Sequence, residues 1–181
     1  MSPILVRPVR EQFEHDRVIR LLQQRYKRKF EVAINPGAEQ NSPVEAGELT
    51  LYPDLVLFAD ARAKRVEGTV EVETGESVTV LEAMAQWAPL SRLRAPFVLY
   101  VPPGAVDTAR RLCAEFNISV AEIWTYHMAV DQVRFTMVHR GADAGGRTRA
   151  ADKKSVKAVA RKAPAAEPAK KRAKKAAPKK A

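Results

Sequence analysis

The sequence predicts an α/β domain with a mixed sheet over residues 1–139, followed by a disordered basic tail over residues 140–181. Within residues 1–139, segments with apolar residues at helical spacing alternate with segments of strand character, which is typical of an α/β fold. Residues 140–181 hold 15 of the 31 Lys and Arg residues, 3 of the 21 acidic residues and no aromatic residue, so they cannot bury a core. The net charge of +10 therefore belongs to the tail.

The first predicted helix covers residues 9–28, where apolar residues recur at helical spacing at Val18, Ile19, Leu21, Leu22 and Tyr26. Glu14 falls on this apolar face. Two interpretations of Glu14 stay open: a first-turn acid that the helix dipole stabilises, or a further acid of a functional site. The helix ends in a basic segment that either contacts phosphates or complements the helix dipole. Its basic residues are Arg25, Lys27, Arg28 and Lys29.

Three strands are predicted after this helix. They cover residues 30–34, 52–58 and 68–74, and the second and third are expected to pair as an antiparallel hairpin. Residues 35–48, rich in Pro, Gly, Asn and Ser, predict a loop between the first and second strands. This loop is either a substrate-binding flap or a disordered excursion.

Acidic residues occupy unexpected positions on the second and third strands. Strands are poor in Asp and Glu, yet period-2 alternation places Glu71 and Glu73 on one face of the third strand and Val70 and Val72 on the other. In the predicted hairpin, Asp54 approaches the Glu71 and Glu73 side. Because like charges repel unless a cation joins them, the pattern predicts a cation site. The open alternative is that the acidic strand forms the wet face of an exposed sheet.

Two helices and three strands complete the domain. The capping box Thr79-Val80-Leu81-Glu82 predicts the start of a helix that Pro89 ends or kinks. Gln86 and Trp87 on this helix either face the site or a base, or have ordinary core and surface roles. The remaining elements are a strand over residues 96–101, a helix over 106–116 that ends at Asn117, and strands over 120–126 and 133–138.

The acidic motif resembles that of the PD-(D/E)xK nuclease superfamily, which has an Asp near the start of one strand and an acid, any residue and Lys on the next. This sequence contains Pro53-Asp54 and Glu71-Val72-Glu73, so Glu73 stands in the lysine place. A minority of type II restriction enzymes in the superfamily also carry glutamate there. The order of the first six elements, over roughly residues 9–101, is similar to the restriction-endonuclease-like αβββαβ core.

The resemblance implies a DNA-binding endonuclease, dependent on Mg²⁺ or Mn²⁺, that hydrolyses phosphodiester bonds. It implies Asp54, Glu71 and Glu73 as the catalytic residues, with Asp54 and Glu71 as the metal ligands. Some Holliday-junction resolvases of the superfamily carry a helix glutamate, for which Glu14 is the candidate, and many of its nucleases act as homodimers. The alternative is a catalytically inactive DNA-binding or nucleoid-associated protein that has kept the fold and lost the lysine.

The tail is similar to linker-histone tails and to the Lys/Ala/Pro extensions of some bacterial nucleoid proteins, which neutralise DNA phosphates without reading bases. Its alternative role is that of a solubilising or general polyanion-binding segment. The tail residues predicted to bind nucleic acid are Lys170, Lys171, Arg172, Lys174, Lys175, Lys179 and Lys180.

Several classes of protein are not supported by the sequence. The single cysteine, Cys113, precludes an internal disulfide, no apolar run reaches membrane-spanning length, and residues 1–9 lack a secretory h-region. We therefore expect a cytoplasmic, nucleoid-associated protein with no membrane partner. His15, His127 and His139 lack metal-ligand spacing, and the absence of a Gly-rich phosphate loop leaves ATP use unsupported.

Overall fold

Helices pack against both faces of a mixed six-stranded sheet in the computed structural model of the chain, which describes residues 9–60, 62, 65–129 and 132–141. The helices are α1 (Val9–Tyr26), α2 (Val80–Glu82), α3 (Ala88–Ser91) and α4 (Val106–Glu115). The strands are β1 (Glu31–Ile34), β2 (Val44–Ala46), β3 (Leu49–Leu51), β4 (Leu55–Phe58), β5 (Val66–Val72), β6 (Phe97–Val101), β7 (Glu122–Ala129) and β8 (Gln132–Arg140). The predicted tail lies outside the described residues, except for Arg140 and Gly141.

The strands of the main sheet follow the order β1-β4-β5-β6-β7-β8. β1, β4 and β5 are antiparallel neighbours, β5, β6 and β7 run parallel, and β8 returns antiparallel to β7. The predicted α/β class with a mixed sheet is therefore confirmed, and β4 and β5 form the predicted hairpin. β6 can run parallel to β5 because the helical segment at residues 80–91 provides the crossover between them.

Two apolar clusters lie on opposite faces of this sheet, as period-2 alternation requires. On one face, α1 buries Val18, Ile19 and Leu22 against β5 residues that include Val70 and Val72. On the other face, the helical segment at residues 80–91 and α4 pack against β6 through residues that include Ala83, Trp87, Leu90, Leu99, Val101, Ala109 and Leu112. The face of β5 that carries Thr69 and Glu71, continued by Glu73 just after the strand, is thus also buried rather than exposed to water.

The helical segment at residues 80–91 starts as predicted and is then distorted. The Glu82 backbone N–H donates to Thr79 Oγ1 over 3.2 Å, which confirms Thr79 as the N-cap. A π-helical turn, Ala83–Trp87, separates α2 from α3, and Pro89 lies in the first turn of α3. Because Pro89 has no N–H for the preceding turn, a wider turn just before it is physically expected.

The predicted loop at residues 35–48 is wrong in part, because β2 and β3 form a separate antiparallel hairpin. Each strand has only three residues, and the turn between them places Gly47 at φ 69°, a conformation that glycine adopts without strain. Such short strands carry too little alternation to be recognised in a polar segment. Asn117, with φ 53°, follows α4 at the predicted position.

Two further findings concern the Cys113 thiol and whether any helix could span a membrane. Cys113 is partly buried on α4, and burial raises the pKa of its thiol to about 11. The thiol therefore stays protonated near neutral pH. None of the helices in the described parts of the chain is long and apolar enough to span a membrane.

Candidate functional site

Four acidic side chains are buried near the junction of β4, β5 and the helical segment at residues 80–91. Asp54, Glu71, Glu73 and Glu82 are exposed by only 8, 4, 1 and 6%. The β4–β5 register pairs Leu55 with Val70, so Asp54 and Glu71 are the next residues along the two strands. The structure therefore brings together the acids that the sequence places on one side of the hairpin. Because they are buried, the interpretation of the acidic strand as a wet sheet face is wrong.

Asp54 is held by hydrogen bonds from two elements. The backbone N–H of Val72 donates to its Oδ2 over 2.8 Å, and His15 Nε2 on α1 lies 3.2 Å from the same oxygen. Its backbone carbonyl accepts from the backbone N–H of Asn35 over 3.0 Å. These contacts orient the Asp54 carboxylate toward the end of β5.

His15 is a site residue that the sequence analysis did not identify. It is 2% exposed, and its Nδ1 lies 3.2 Å from Asp16 Oδ1 while its Nε2 contacts Asp54. Each nitrogen of the imidazole ring therefore lies within hydrogen-bond distance of a carboxylate, one on α1 and one just before β4. His15 thus lies between two acids, although no local sequence signal marks it, since Asp54 lies 39 residues away.

Glu71 is the least satisfied acid of the cluster. Its Oε1 is buried and has no hydrogen-bond partner. Burial, followed by the negative charges of Asp54, Glu73 and Glu82, raises the pKa of Glu71 well above its ordinary value, and a hydrogen bond with Asp54 raises it further. Two carboxyl groups in such contact share a proton more readily than they both ionise.

Glu73, the residue in the lysine place, is tied into the core. Trp87 Nε1 donates to its Oε1 over 2.8 Å, and the Ser77 hydroxyl donates to its Oε2. Its backbone carbonyl accepts from the Tyr126 hydroxyl over 2.7 Å. Of the two roles considered for Trp87, the buried indole therefore fills the core and also fixes an acid of the cluster.

Glu82 is a second residue of the cluster that sequence reasoning missed. It was identified only as the acid of the capping box, yet its charge contributes to the raised pKa of Glu71. Gln86 Nε2 donates to Glu82 Oε1 over 2.5 Å, so Gln86 supports the cluster without contacting Asp54 or Glu71 in the structure. A glutamate three residues after an N-cap is an ordinary helix signal, and only tertiary packing gives it this additional role.

The other sequence-predicted site residues lie apart from the cluster. Glu14 is 44% exposed at its side chain and pairs with Arg10 over 3.3 Å, whereas Glu11 on the same helix reaches Thr74 after β5. Glu14 therefore does not join Asp54 and Glu71. Arg25 lies at the exposed end of α1, followed by exposed Lys27, Arg28 and Lys29. The predicted tail residues Lys170 to Lys180 lie outside the described residues.

The four buried acids offer few oxygen ligands to a metal ion. Within the described ranges, no group of three or more His, Cys, Asp or Glu side chains is arranged to hold a metal ion. A cation would thus depend on the Asp54–Glu71 pair together with water or substrate oxygens. Comparison of the chain with protein-family models, with curated proteins and with solved structures gives no significant match. Any assignment of function therefore depends on the residues of the cluster themselves.

Proposed function

We propose that this chain is a DNA-binding protein of restriction-endonuclease-like architecture, in which Asp54 and Glu71 hold Mg²⁺ or Mn²⁺ for the hydrolysis of phosphodiester bonds. The observation that carries the proposal is the buried Asp54–Glu71 pair with the unpartnered Glu71 Oε1. The order α1, β1, β4, β5, helical segment and β6 supports the αβββαβ core, with β4 antiparallel and β6 parallel to β5. In that order Asp54 immediately precedes the second strand, β4, and Glu71 lies on the third strand, β5.

The chemistry of the pair fits a hard divalent cation. A buried carboxylate oxygen without a partner is destabilising by about 1–3 kcal/mol, and a cation bound there would remove that penalty. Mg²⁺ is usually held by one or two carboxylates, with waters and phosphate oxygens completing its shell, so a pair suffices. When bound, the ion would polarise the phosphate and lower the pKa of a coordinated water.

The chain's own residues prepare the site for this chemistry. Val72 N–H and His15 fix the orientation of Asp54, and the Glu71 carboxyl, whose pKa is raised, must release its proton before it can act as a ligand. Glu82, held by Gln86, adds a negative charge that favours a cation close to the pair. Burial of all these groups limits competing water and strengthens the electrostatic attraction.

One observation favours a second function, a catalytically inactive DNA-binding or nucleoid-associated protein. Both oxygens of Glu73 accept hydrogen bonds within the core, so the residue in the lysine place is engaged in packing. It supplies no positive charge to a developing pentacovalent phosphate. In this second function the basic tail neutralises DNA phosphates. The four buried acids are then a remnant that stabilises the fold or binds a cation without cleaving DNA.

The test compares cleavage and metal binding in matched variants. Supercoiled and branched DNA are incubated with Mg²⁺ or Mn²⁺ and the wild type, Asp54→Ala or Glu71→Gln, and Mn²⁺ binding to each is titrated. Glu115→Gln, an exposed acid on α4, is the control for a simple change of charge. The proposal expects cleavage and tight Mn²⁺ binding by the wild type and the control alone. Equal Mn²⁺ binding by all variants would overturn the site, whereas binding without cleavage identifies the inactive form.

A further inference from the structure

Arg25 at the exposed end of α1 is fixed in place by aromatic rings. Its guanidinium carbon lies 4.6 Å from the ring centroid of Trp124 on β7 and 5.6 Å from that of Phe135 on β8. The attraction between a cation and the faces of aromatic rings holds the guanidinium without using its N–H groups. No hydrogen bond or ion pair of Arg25 occurs within the part of the chain that the structure describes. Its donors are therefore available to an anion.

Glu122, an acid in the same region, is engaged by other donors than Arg25. Both Arg25 and Glu122 act on the phenol of Tyr26, which places their charges in the same region. The Glu122 carboxylate, however, accepts from Arg140 over 2.9 and 3.1 Å at Oε1 and from Trp124 Nε1 over 2.8 Å at Oε2. Both of its oxygens are thus used within the β7–β8 hairpin, and Arg25 keeps its positive charge toward solvent.

The rings beneath Arg25 pack against one another, and two of them are partly exposed. Tyr100 stacks on Trp124 with a centroid separation of 6.0 Å and meets Phe135 edge-on at 5.6 Å. The hydroxyls of Tyr26 and Tyr100 are hydrogen-bonded over 3.1 Å, which ties α1 to β6. Trp124 and Phe135 are half-buried, and both pack against the apolar cluster to which α1 contributes.

We propose that Arg25, Trp124 and Phe135, here called the Arg25 shelf, dock a single-stranded segment of nucleic acid. The guanidinium edge matches a phosphate group in a bidentate arrangement, and exposed Lys27, Arg28 and Lys29 extend the positive charge along the strand. The exposed guanidinium plane accepts an unstacked base, which a continuous duplex does not offer. The inference rests on the DNA-binding part of the proposed function and adds the form of the strand and its place of contact.

The experiment measures binding to the full-length chain in EDTA, so that hydrolysis plays no part. A labelled single-stranded oligonucleotide of about 15 nucleotides is titrated, with the same strand in duplex form as the second arm. The variants are Arg25→Ala, Arg25→Lys and Trp124→Phe. Arg20→Ala is the matched control, because Arg20 is an exposed arginine on the same helix without an aromatic contact in the structure. Tryptophan emission is recorded alongside the anisotropy of the label.

We expect Arg25→Ala to weaken single-strand binding about fivefold and to reduce the log-log salt slope by about 0.7, with a smaller effect on the duplex. Arg25→Lys should recover part of the affinity, and Arg20→Ala should change it by less than about twofold. The oligonucleotide should quench tryptophan emission in the wild type but not in Trp124→Phe. An equal loss in Arg25→Ala and Arg20→Ala, or emission that does not respond in the wild type, would overturn the shelf.

The same data separate this inference from the proposed function. Binding that is independent of Arg25 but accompanied by cleavage with Mg²⁺ contradicts the shelf alone. Binding that depends on Arg25 without cleavage contradicts hydrolysis alone. Because every variant retains the basic tail, its contribution to affinity is the same throughout the comparison.

Discussion

At the scale of single residues, the four buried acids differ in whether their carboxylate oxygens have hydrogen-bond partners. Asp54 and Glu73 accept hydrogen bonds from backbone and side-chain donors, whereas Glu71 keeps a buried oxygen without a partner. Stable cores rarely contain such an oxygen, because its desolvation is not compensated. Glu71 therefore lowers the stability of the folded chain near neutral pH, which is understandable if the position serves to bind a ligand.

The effect of Glu71 on stability should depend on pH. Its pKa is raised in the folded state, so the stabilisation by its bound proton is complete below the unfolded-state pKa and is lost as the pH rises through the folded-state pKa. Glu71→Gln, which cannot ionise, should be more stable than the wild type by about 1 kcal/mol or more at about pH 8, and this gain should vanish at about pH 4. Urea denaturation in EDTA at both pH values measures it, with Glu115→Gln as control. A gain independent of pH would contradict the raised pKa as its cause.

Glu73 provides a second residue-scale prediction, because restoring the lysine of the superfamily motif should fail. The position is 1% exposed, and the Trp87 N–H that now donates to Glu73 would face an ammonium group. We expect Glu73→Lys to destabilise the chain by about 1–3 kcal/mol, because the buried Trp87 N–H would lose its acceptor. Glu73→Gln, which can accept from Trp87 and donate to the Ser77 oxygen, should remain folded. Thermal denaturation of both variants measures the change in stability. A stable Glu73→Lys protein would show that the site has room for lysine.

At the scale of elements, the helical segment at residues 80–91 links local capping to the cluster. Thr79 fixes the first turn, the same turn presents Glu82 to the cluster, and the π-helical turn places Trp87 against Glu73. A change of the helix start should therefore affect both stability and the site. The link between the Thr79 cap and the buried acids is visible only when both are considered together.

Thr79→Ala tests this connection. Loss of the cap should destabilise the chain by about 1 kcal/mol, whereas Thr79→Ser, which keeps the hydroxyl, should remain close to the wild type. Because Glu82 moves with the first turn, Thr79→Ala should also change Mn²⁺ affinity, and Thr79→Ser should not. Denaturation and Mn²⁺ titration of the two variants provide the measurements. Unchanged metal affinity in a destabilised Thr79→Ala protein would show that the cap and the site are independent.

At the scale of the whole molecule, basic charge and acidic chemistry belong to different parts of the chain. Residues 140–181 carry most of the excess positive charge, whereas the cluster is acidic and buried in the sheet domain. Gly141 is the last described residue, and its N–H donates to the Ala121 carbonyl over 2.8 Å, which fastens the end of β8 to the start of β7. Shortening the chain after Gly141 would therefore remove the tail charge and keep every strand that the structure describes.

The tail should dominate the salt dependence of DNA binding. If it makes the main phosphate contacts, the affinity of the full-length chain for duplex DNA should fall steeply with salt, by about 0.9 in log-log slope for each phosphate neutralised. A chain that ends at Gly141 should show a much flatter slope. The measurement is anisotropy of labelled duplex DNA at rising KCl concentrations. Equal slopes for both chains would transfer the main contacts to the sheet domain, with the basic end of α1 as the first candidate.

The sequence by itself determined the elements and the alignment of Asp54 with Glu71. Periodicity identified α1, α4 and all six strands of the main sheet to within a few residues, because these segments have one or two well-defined apolar faces. Apolar alternation constrains the register of two neighbouring strands that are joined as a hairpin. The approach of Asp54 to Glu71 therefore follows from the local sequence pattern. The short β2–β3 hairpin escaped detection because three-residue strands have almost no periodicity.

Only the tertiary structure decided which groups surround the two acids. His15 reaches Asp54 across 39 residues and Trp87 reaches Glu73 across 14, and both contacts depend on how α1 and the segment at residues 80–91 pack on opposite faces of the sheet. Burial of Glu71 and the second role of Glu82 arise from the same packing. Helix position on a sheet depends on the sum of many apolar contacts rather than on any local pattern, so no reading of neighbouring residues could have placed these side chains.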